Sequence, residues 1–163
     1  MPSKVRITKN GILCEVNEKR VYLDPKKTDL TTINFVSHAH SDHLPSKNGG
    51  TILSSIETRE ISDLRGFTME NHVESIDGFS LINSGHVLGS KGLLFDDIFY
   101  TGDICTRDRG FLKAAKIPSC KTLITECTFG LPEFKFPKMQ EIENYVNQLI
   151  SDLYSKGVPV ILM

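Results

Sequence analysis

The sequence predicts a mixed α/β protein, and three observations support this fold class. Short apolar segments of strand length recur along most of the chain. Several of these segments end in an acidic side chain or lead into a histidine. One long segment near the end has the apolar spacing of an amphipathic helix. With 163 residues, the chain is long enough for one domain with a substantial core and too short for two ordinary domains.

The first half of the chain is predicted to begin with a β-hairpin, because Asn10-Gly11 is a strong turn sequence. A third strand starts at Val21 and stops at Asp24-Pro25, since proline cannot donate to a strand ladder. The Asp24 carboxylate is therefore left at a strand end. The predicted elements of this half are strands at 4–8, 12–16, 21–23, 33–36 and 51–54, and a helix at 57–64.

In the second half, His86 lies on a turn between two glycines, which suits a backbone bent to direct a side chain inward. Asp103 and Glu126 each follow a predicted strand. The run 158–163 begins like a buried strand and then stops, so we expect the chain to be incomplete at its C-terminus, a short edge strand being the alternative. The predicted elements are strands at 79–82, 92–95, 98–100 and 122–125, and a helix at 139–155.

The densest group of metal-type side chains lies in residues 37–44, directly after an apolar strand. His38 and His40 leave the same face of an extended chain, because side chains alternate along it. If the chain turns at Ser41, Asp42 and His43 can reach a neighbouring point. Imidazole and carboxylate are the usual ligands of catalytic zinc. The spacing therefore suits two adjacent metal positions, and a polar surface loop is the alternative.

The composition of the chain limits the classes of function that it could have. A net charge of −1 argues against a strongly basic nucleic-acid-binding protein, although phosphate contacts need only local positive charge. No apolar run approaches the roughly 20 residues that cross a membrane, and the N-terminus lacks a signal peptide, so we expect a cytoplasmic location. The four cysteines are then expected to be reduced core residues.

Two local basic clusters are candidate substrate contacts. The first contains Arg107, Arg109, Lys113 and Lys116, and the second contains Lys4, Arg6 and Lys9.

The segment His38-Ala39-His40-Ser41-Asp42-His43 resembles the signature of the metallo-β-lactamase superfamily, with Asp24, His86 and Asp103 in matching order. Residues 85–90, 100–103 and 125–130 are similar to motifs of its β-CASP branch, which includes messenger-RNA 3′-end-processing nucleases and exonuclease-like proteins. The resemblance implies an αββα sandwich. Residues 1–163 would be the N-terminal portion of such a metallo-β-lactamase-like domain, without the branch's nucleic-acid-clamping domain.

The resemblance also implies a set of site residues. His38, His40 and His86 would hold one zinc ion, Asp42 and His43 a second, and Asp103 would bridge the two. Asp103 or Asp42 would orient the attacking water, and Glu126 would help to position or protonate rather than bind metal. No histidine follows His86, so the second zinc site lacks a ligand within this sequence, and one or two ions are expected. Arg107 and Arg109 are candidates to steady a phosphate.

The main functional hypothesis is a zinc-dependent phosphodiesterase or nuclease that acts on RNA or single-stranded DNA and forms part of a longer enzyme. One alternative is a hydrolase of small esters, lactones or thioesters that uses the same metals. A second alternative is an inactive nuclease-like subunit kept for assembly. The sequence leaves open whether the protein forms a homo-oligomer.

Overall fold

The computed structural model describes residues 4–16, 18–47 and 49–161. The chain divides into two compact units, Met1–Glu126 and Cys127–Met163. The mixed α/β class is confirmed, with ten strands and two helices in the described residues. The elements are β1 (Lys4–Thr8), β2 (Gly11–Val16), β3 (Lys19–Leu23), β4 (Ile33–Phe35), β5 (Thr51–Leu53), α1 (Ile56–Leu64), β6 (His72–Val73), β7 (Phe79–Asn83), β8 (Lys91–Phe95), β9 (Ile98–Tyr100), β10 (Thr122–Ile124) and α2 (Met139–Ser155).

A six-stranded sheet has the order β1-β2-β3-β4-β5-β6. Its first three strands are antiparallel, and β3 to β6 are parallel. The register pairs Leu23 of β3 with Phe35 of β4. Because parallel strands end at the same edge of a sheet, Asp24 and the histidine segment 38–43 leave the sheet side by side.

A four-stranded sheet has the order β10-β9-β8-β7. β10 pairs with β9 in parallel, while β8 runs antiparallel to both β7 and β9. β7, β9 and β10 therefore point in one direction and end at one edge. His86 follows β7, Asp103 follows β9 and Glu126 follows β10. This topology brings three separated stretches of sequence to a common edge.

Residues of both sheets share one apolar cluster. Phe35 of the six-stranded sheet and Leu93 of the four-stranded sheet are fully buried in it. The ring of Phe35 also meets that of Tyr100 edge to face, with centroids 6.1 Å apart. The buried members of the cluster are Cys14, Val16, Val21, Leu23, Phe35, Leu53, Leu93, Phe95 and Ile98. This packing gives the polar strand ends a rigid support.

The start of α1 holds a turn that belongs to the other sheet. Ser55 caps the helix by accepting from the Thr58 amide. The hydroxyls of Ser55 and Thr58 donate to the Gly89 carbonyl at 2.6 and 3.1 Å. Gly89 has φ +79°, and a Cβ there would lie 2.9 Å from the Thr58 nitrogen. Only glycine fits this close approach, which fixes the turn that carries His86.

In the second unit, α2 spans the predicted range and ends before Gly157, which has φ +69°. The predicted strand at 158–163 is wrong over residues 158–161, which form no strand. Val158 and Ile161 are exposed there. An apolar run becomes a strand only where another strand pairs with it. Residues 162–163 lie outside the described residues.

The cysteines differ in their surroundings. Cys14 is fully buried, and burial raises the pKa of its thiol to about 12. Cys105 and Cys120 are half-buried, and Cys127 is exposed, so the prediction of four core cysteines is wrong for Cys127. Within the described ranges, no helix is long and apolar enough to cross a membrane.

Leu93→Ala is expected to destabilise the protein by about 2–5 kcal/mol, because it opens a cavity between the two sheets. Leu64→Ala is the matched control, since Leu64 is 89% exposed at the end of α1. That change should cost about 0.5 kcal/mol or less. Urea unfolding followed by circular dichroism measures both. Equal losses in the two variants would contradict the shared core.

Candidate metal centre

Four of the predicted metal-ligating side chains converge at the common edge of the sheets. One ligand atom from each of His38, His40, His86 and Asp103 lies within 4.8 Å of all the others. His40 Nδ1 is 2.9 Å from His38 Nε2 and 3.3 Å from His86 Nε2. Asp103 Oδ2 lies 3.8 Å from His38 Nε2 and 3.4 Å from His86 Nε2.

These separations fit a small divalent ion. Zinc bound tetrahedrally at about 2.0–2.1 Å separates its ligand atoms by about 3.3 Å. The four atoms therefore have the spacing of a first coordination sphere, and three nitrogens with one oxygen are a common zinc donor set. The group could hold a metal ion. The metal-type group found among the described residues contains three histidines and one aspartate, and no cysteine.

Hydrogen bonds fix which nitrogen of His38 faces the centre. The Ser37 hydroxyl donates to Asp24 Oδ2 at 2.7 Å, so it accepts from His38 Nδ1 at 2.9 Å. His38 Nδ1 thus carries the proton, and the lone pair of Nε2 is directed at His40 and Asp103. A metal-ligating histidine has this arrangement when its second nitrogen donates to an outer partner.

Asp24 connects this network to a second histidine. Its carboxylate accepts from the Ser37 amide at 2.7 Å, the Tyr100 hydroxyl at 2.8 Å and His43 Nδ1 at 2.8 Å, in addition to the Ser37 hydroxyl. The side chain is only 7% exposed. Asp24 itself has φ +40°, an uncommon conformation for a residue other than glycine. A strained residue with four donors around its carboxylate is strongly constrained.

His43 and Asp42 lie beside the four-residue group. His43 Nδ1 donates to Asp24, so its Nε2 is the nitrogen that faces Asp103 Oδ1 at 3.4 Å and Asp42 Oδ2 at 3.6 Å. The Asp42 side chain is 79% exposed. Asp103 therefore has one oxygen near His86 and the other near His43.

Burial sets the protonation of the histidines. It lowers the pKa of His38 to about 3, and it lowers the pKa of His86, with His40 and Arg109 acting in the same direction. Burial also lowers the pKa of His43, but the hydrogen bond to Asp24 and the charges of Asp24, Asp103 and Asp42 outweigh it and raise that pKa overall. His38 and His86 are thus neutral near pH 7, as ligands must be.

Arg109 supports the His86 turn. Its Nη2 donates to the Gly85 carbonyl at 3.2 Å and to the His86 carbonyl. The segment that carries Arg109 lies against the same turn, because the Cys105 amide donates to the Ser84 carbonyl at 2.8 Å. Gly85 has φ +71°, and a Cβ there would collide with the Cys105 carbonyl. The guanidinium therefore holds the backbone of a candidate ligand, and its predicted phosphate contact stays a prediction.

The other predicted site residues lie in different surroundings. Glu126 Oε1 accepts from the Ile104 amide at 2.9 Å, one residue after Asp103. Arg107 is exposed. Lys113, from the same basic cluster, pairs with Asp108 at 3.1 Å. Their predicted roles in catalysis and substrate binding stay predictions.

The sequence reasoning missed three supporting residues: Ser37, Tyr100 and Arg109 in its backbone role. Burial and the neighbouring Asp24 raise the pKa of the Tyr100 phenol, so it stays a hydrogen-bond donor. The available signal was weak and consisted of sequence proximity alone. Ser37 adjoins the histidine cluster, and Tyr100 adjoins the Thr-Gly-Asp segment. Their shared contact with Asp24 spans 13 and 76 residues of chain, which no local pattern encodes.

Comparison with known proteins finds partial similarity of the chain to a probable DNA ligase and to transcription termination factors. No family model matches it. It is 28% identical over 145 residues to a probable DNA ligase of Opitutus terrae, a match that covers 78% of the chain and 14% of the relative. It is 31% and 32% identical, over 91 and 93 residues, to transcription termination factor FttA of Lokiarchaeum sp. and Methanocaldococcus jannaschii. Each of those matches covers 51% of the chain, and the chain spans about one seventh (14%) of each relative.

Asp24→Asn is expected to weaken zinc binding by about 10–100-fold, because an amide cannot accept from all four donors and orients His43 poorly. Asp97→Asn is the control, since Asp97 is a half-exposed acid paired with Lys121. Competition with a chromogenic chelator measures the affinity. Equal affinities for the two variants would contradict the role given to Asp24.

Arg109→Gln is expected to lower the affinity for zinc by about tenfold, because His86 loses the support of its carbonyl. Arg107→Gln removes the same charge two residues away and should leave the affinity unchanged. Arg109→Lys should recover part of the loss, since lysine can still donate to one carbonyl. The same chelator competition measures all three. An equal loss in Arg107→Gln would show an effect of charge alone.

Proposed function

We propose that the chain forms the metal-binding part of a zinc-dependent phosphodiesterase that acts on RNA or single-stranded DNA. The observation that carries the proposal is the convergence of His38, His40, His86 and Asp103. Burial lowers the pKa of the His38 and His86 imidazoles, which favours their neutral, metal-binding form. The similarity to a probable DNA ligase and to transcription termination factors supports a nucleic-acid substrate. In this proposal, the two sheets and α1 belong to a metallo-β-lactamase αββα sandwich, and residues 1–163 are the N-terminal portion of that domain.

The proposed roles follow from the geometry. His38, His40, His86 and Asp103 would hold one ion, and His43, Asp42 and the second oxygen of Asp103 would face a second. A bound zinc ion lowers the pKa of water from about 15.7 to near 7 and so supplies hydroxide at neutral pH. Asp103 lies between both groups of ligands and would orient the attacking water. The exposed carboxylate of Asp42 would accept its proton.

Glu126 is proposed to position the loop that presents Asp103 or to protonate the leaving oxygen. Its Oε1 accepts from the amide that follows Asp103, at 2.9 Å, so the carboxylate is held beside the loop that presents Asp103. Glu126 also contributes to the electrostatic surroundings of His86. These two relations support a role in positioning the centre or in protonating the leaving oxygen. Glu126 is not one of the four converging side chains, and it is not proposed as a metal ligand.

Hydrolysis of bis(p-nitrophenyl) phosphate by the zinc-loaded chain tests the proposal. We expect turnover that EDTA abolishes and zinc restores. His40→Gln removes a ligand and should reduce turnover by more than about 100-fold, beyond the 10–100-fold typical of outer-sphere partners. His72→Gln is the matched control, because His72 Nε2 lies 3.1 Å from the Ser54 carbonyl and His72 is not one of the four converging side chains.

Three results would contradict the proposal. EDTA-insensitive turnover would remove the metal from the mechanism. Turnover of small esters or lactones without any turnover of the phosphodiester would favour a small-molecule hydrolase. Absence of both metal binding and hydrolysis would favour a nuclease-like subunit that serves in assembly.

A further inference from the structure

We infer that a lysine-lined cleft next to the candidate metal centre binds the phosphate backbone of a single-stranded nucleic acid. The cleft has a volume of about 530 Å³. We call it the lysine cleft, and it is lined by Lys9, Asn10, Tyr22, Lys26, Lys27, Thr28 and Asp29. This inference rests on the proposed function, to which it adds a surface for the substrate.

The hydrogen bonds that build the cleft involve the backbone of its lysines, and among the described residues none involves their ammonium groups. The Asn10 side chain accepts from the Lys27 amide at 2.9 Å and donates to the Lys27 carbonyl at 2.8 Å. The Lys26 amide donates to the Asn10 carbonyl at 2.9 Å. These contacts use the backbone of both lysines. They join the hairpin turn at 9–11 to the loop that follows Asp24.

The three lysines of the cleft form no ion pair within the described part of the chain. Lys9, Lys26 and Lys27 are exposed. The ion pairs found in the described residues involve other cations, namely Arg6, Arg20, Arg59, Lys113 and Lys121. Asp29 is the acid among the lining residues, and its carboxylate accepts from the Thr31 amide and hydroxyl, both at 2.8 Å. The cleft is therefore a local positive region in a chain of net charge −1.

The loop that follows Asp24 links the lysine cleft to the metal centre. Asp24, which orients His43, lies two residues before Lys26. Ser46, three residues after His43, donates through its amide and its hydroxyl to the Lys26 carbonyl at 2.8 and 3.0 Å. A strand bound in the cleft is thus held by loops that are directly linked to the ligands.

The chemistry of the lining suits an unpaired strand. Ammonium groups bind phosphates without reading sequence. Tyr22 lines the cleft and is half-buried, so its ring offers a surface on which an exposed base can stack. The combination of a positive groove with an aromatic ring is typical of single-strand binding. Arg109 does not provide this surface, because it is engaged with the His86 turn.

The test compares two triple variants of the full chain loaded with zinc. Lys9→Gln/Lys26→Gln/Lys27→Gln removes the charges of the cleft. Arg59→Gln/Arg65→Gln/Lys121→Gln removes the same number of charges at other exposed positions of the same unit. Binding of fluorescein-labelled oligo(dT) and oligo(U) is measured by anisotropy over a range of salt concentrations. Hydrolysis of bis(p-nitrophenyl) phosphate by the wild-type chain is measured separately.

We expect the cleft variant to bind both oligonucleotides at least about tenfold more weakly than wild type. Its slope of log affinity against log salt should fall by about 2, since each lost phosphate contact on a single strand lowers it by about 0.7. The control variant should stay within about twofold of wild type. Equal loss in both variants, an unchanged slope, or no binding by wild type would overturn the inference.

Two further outcomes separate the sources of failure. A loss confined to RNA or to DNA would overturn a backbone contact, because both share the phosphodiester, whereas equal losses support it. If the wild-type chain fails to hydrolyse the small phosphodiester while binding still depends on the cleft lysines, the proposed hydrolysis fails and the lysine cleft stands.

Discussion

The candidate centre depends on one carboxylate, that of Asp24. It accepts four hydrogen bonds, two of them from Ser37 and one each from His43 and Tyr100. Ser37 and His43 follow a strand of the six-stranded sheet, whereas Tyr100 ends a strand of the other sheet. Asp24 therefore ties the two sheets together at the edge where the ligands emerge. It also sets the tautomers of His38 and His43, so that their Nε2 atoms face Asp103.

This arrangement explains why the surrounding residues are polar and yet buried. A buried carboxylate without partners is costly, and here each donor offsets part of its desolvation. The same burial keeps His38 neutral, as metal ligation requires. Around this network, Ser55 and Thr58 hold the Gly89 carbonyl and Arg109 holds the His86 carbonyl. The His86 turn is thus fixed from two sides, and its imidazole meets ligands that lie 46 or more residues earlier in the chain.

Much of the architecture could be predicted because its signals are local. Asn10-Gly11 marks the first hairpin, and the apolar periodicity of α2 marks its full length. His38, His40 and Asp103 each follow a predicted strand closely, and this position indicated that they meet at one edge of the sheets. Contacts made across the chain could not be predicted in this way, such as Tyr100 with Asp24 or Arg109 with His86. The two-residue strand β6 has no pattern of its own, and residues 158–161 are apolar without forming a strand. Their state depends on a pairing partner.

The most direct test of the account is X-ray absorption at the zinc edge of the metal-loaded chain. The account predicts nitrogen and oxygen scatterers at about 2.0–2.1 Å with the outer-shell signal of imidazole rings, and His38→Gln and His86→Gln should each weaken that signal. Sulfur scattering at about 2.3 Å, or a zinc signal unchanged by loss of these histidines, would contradict it.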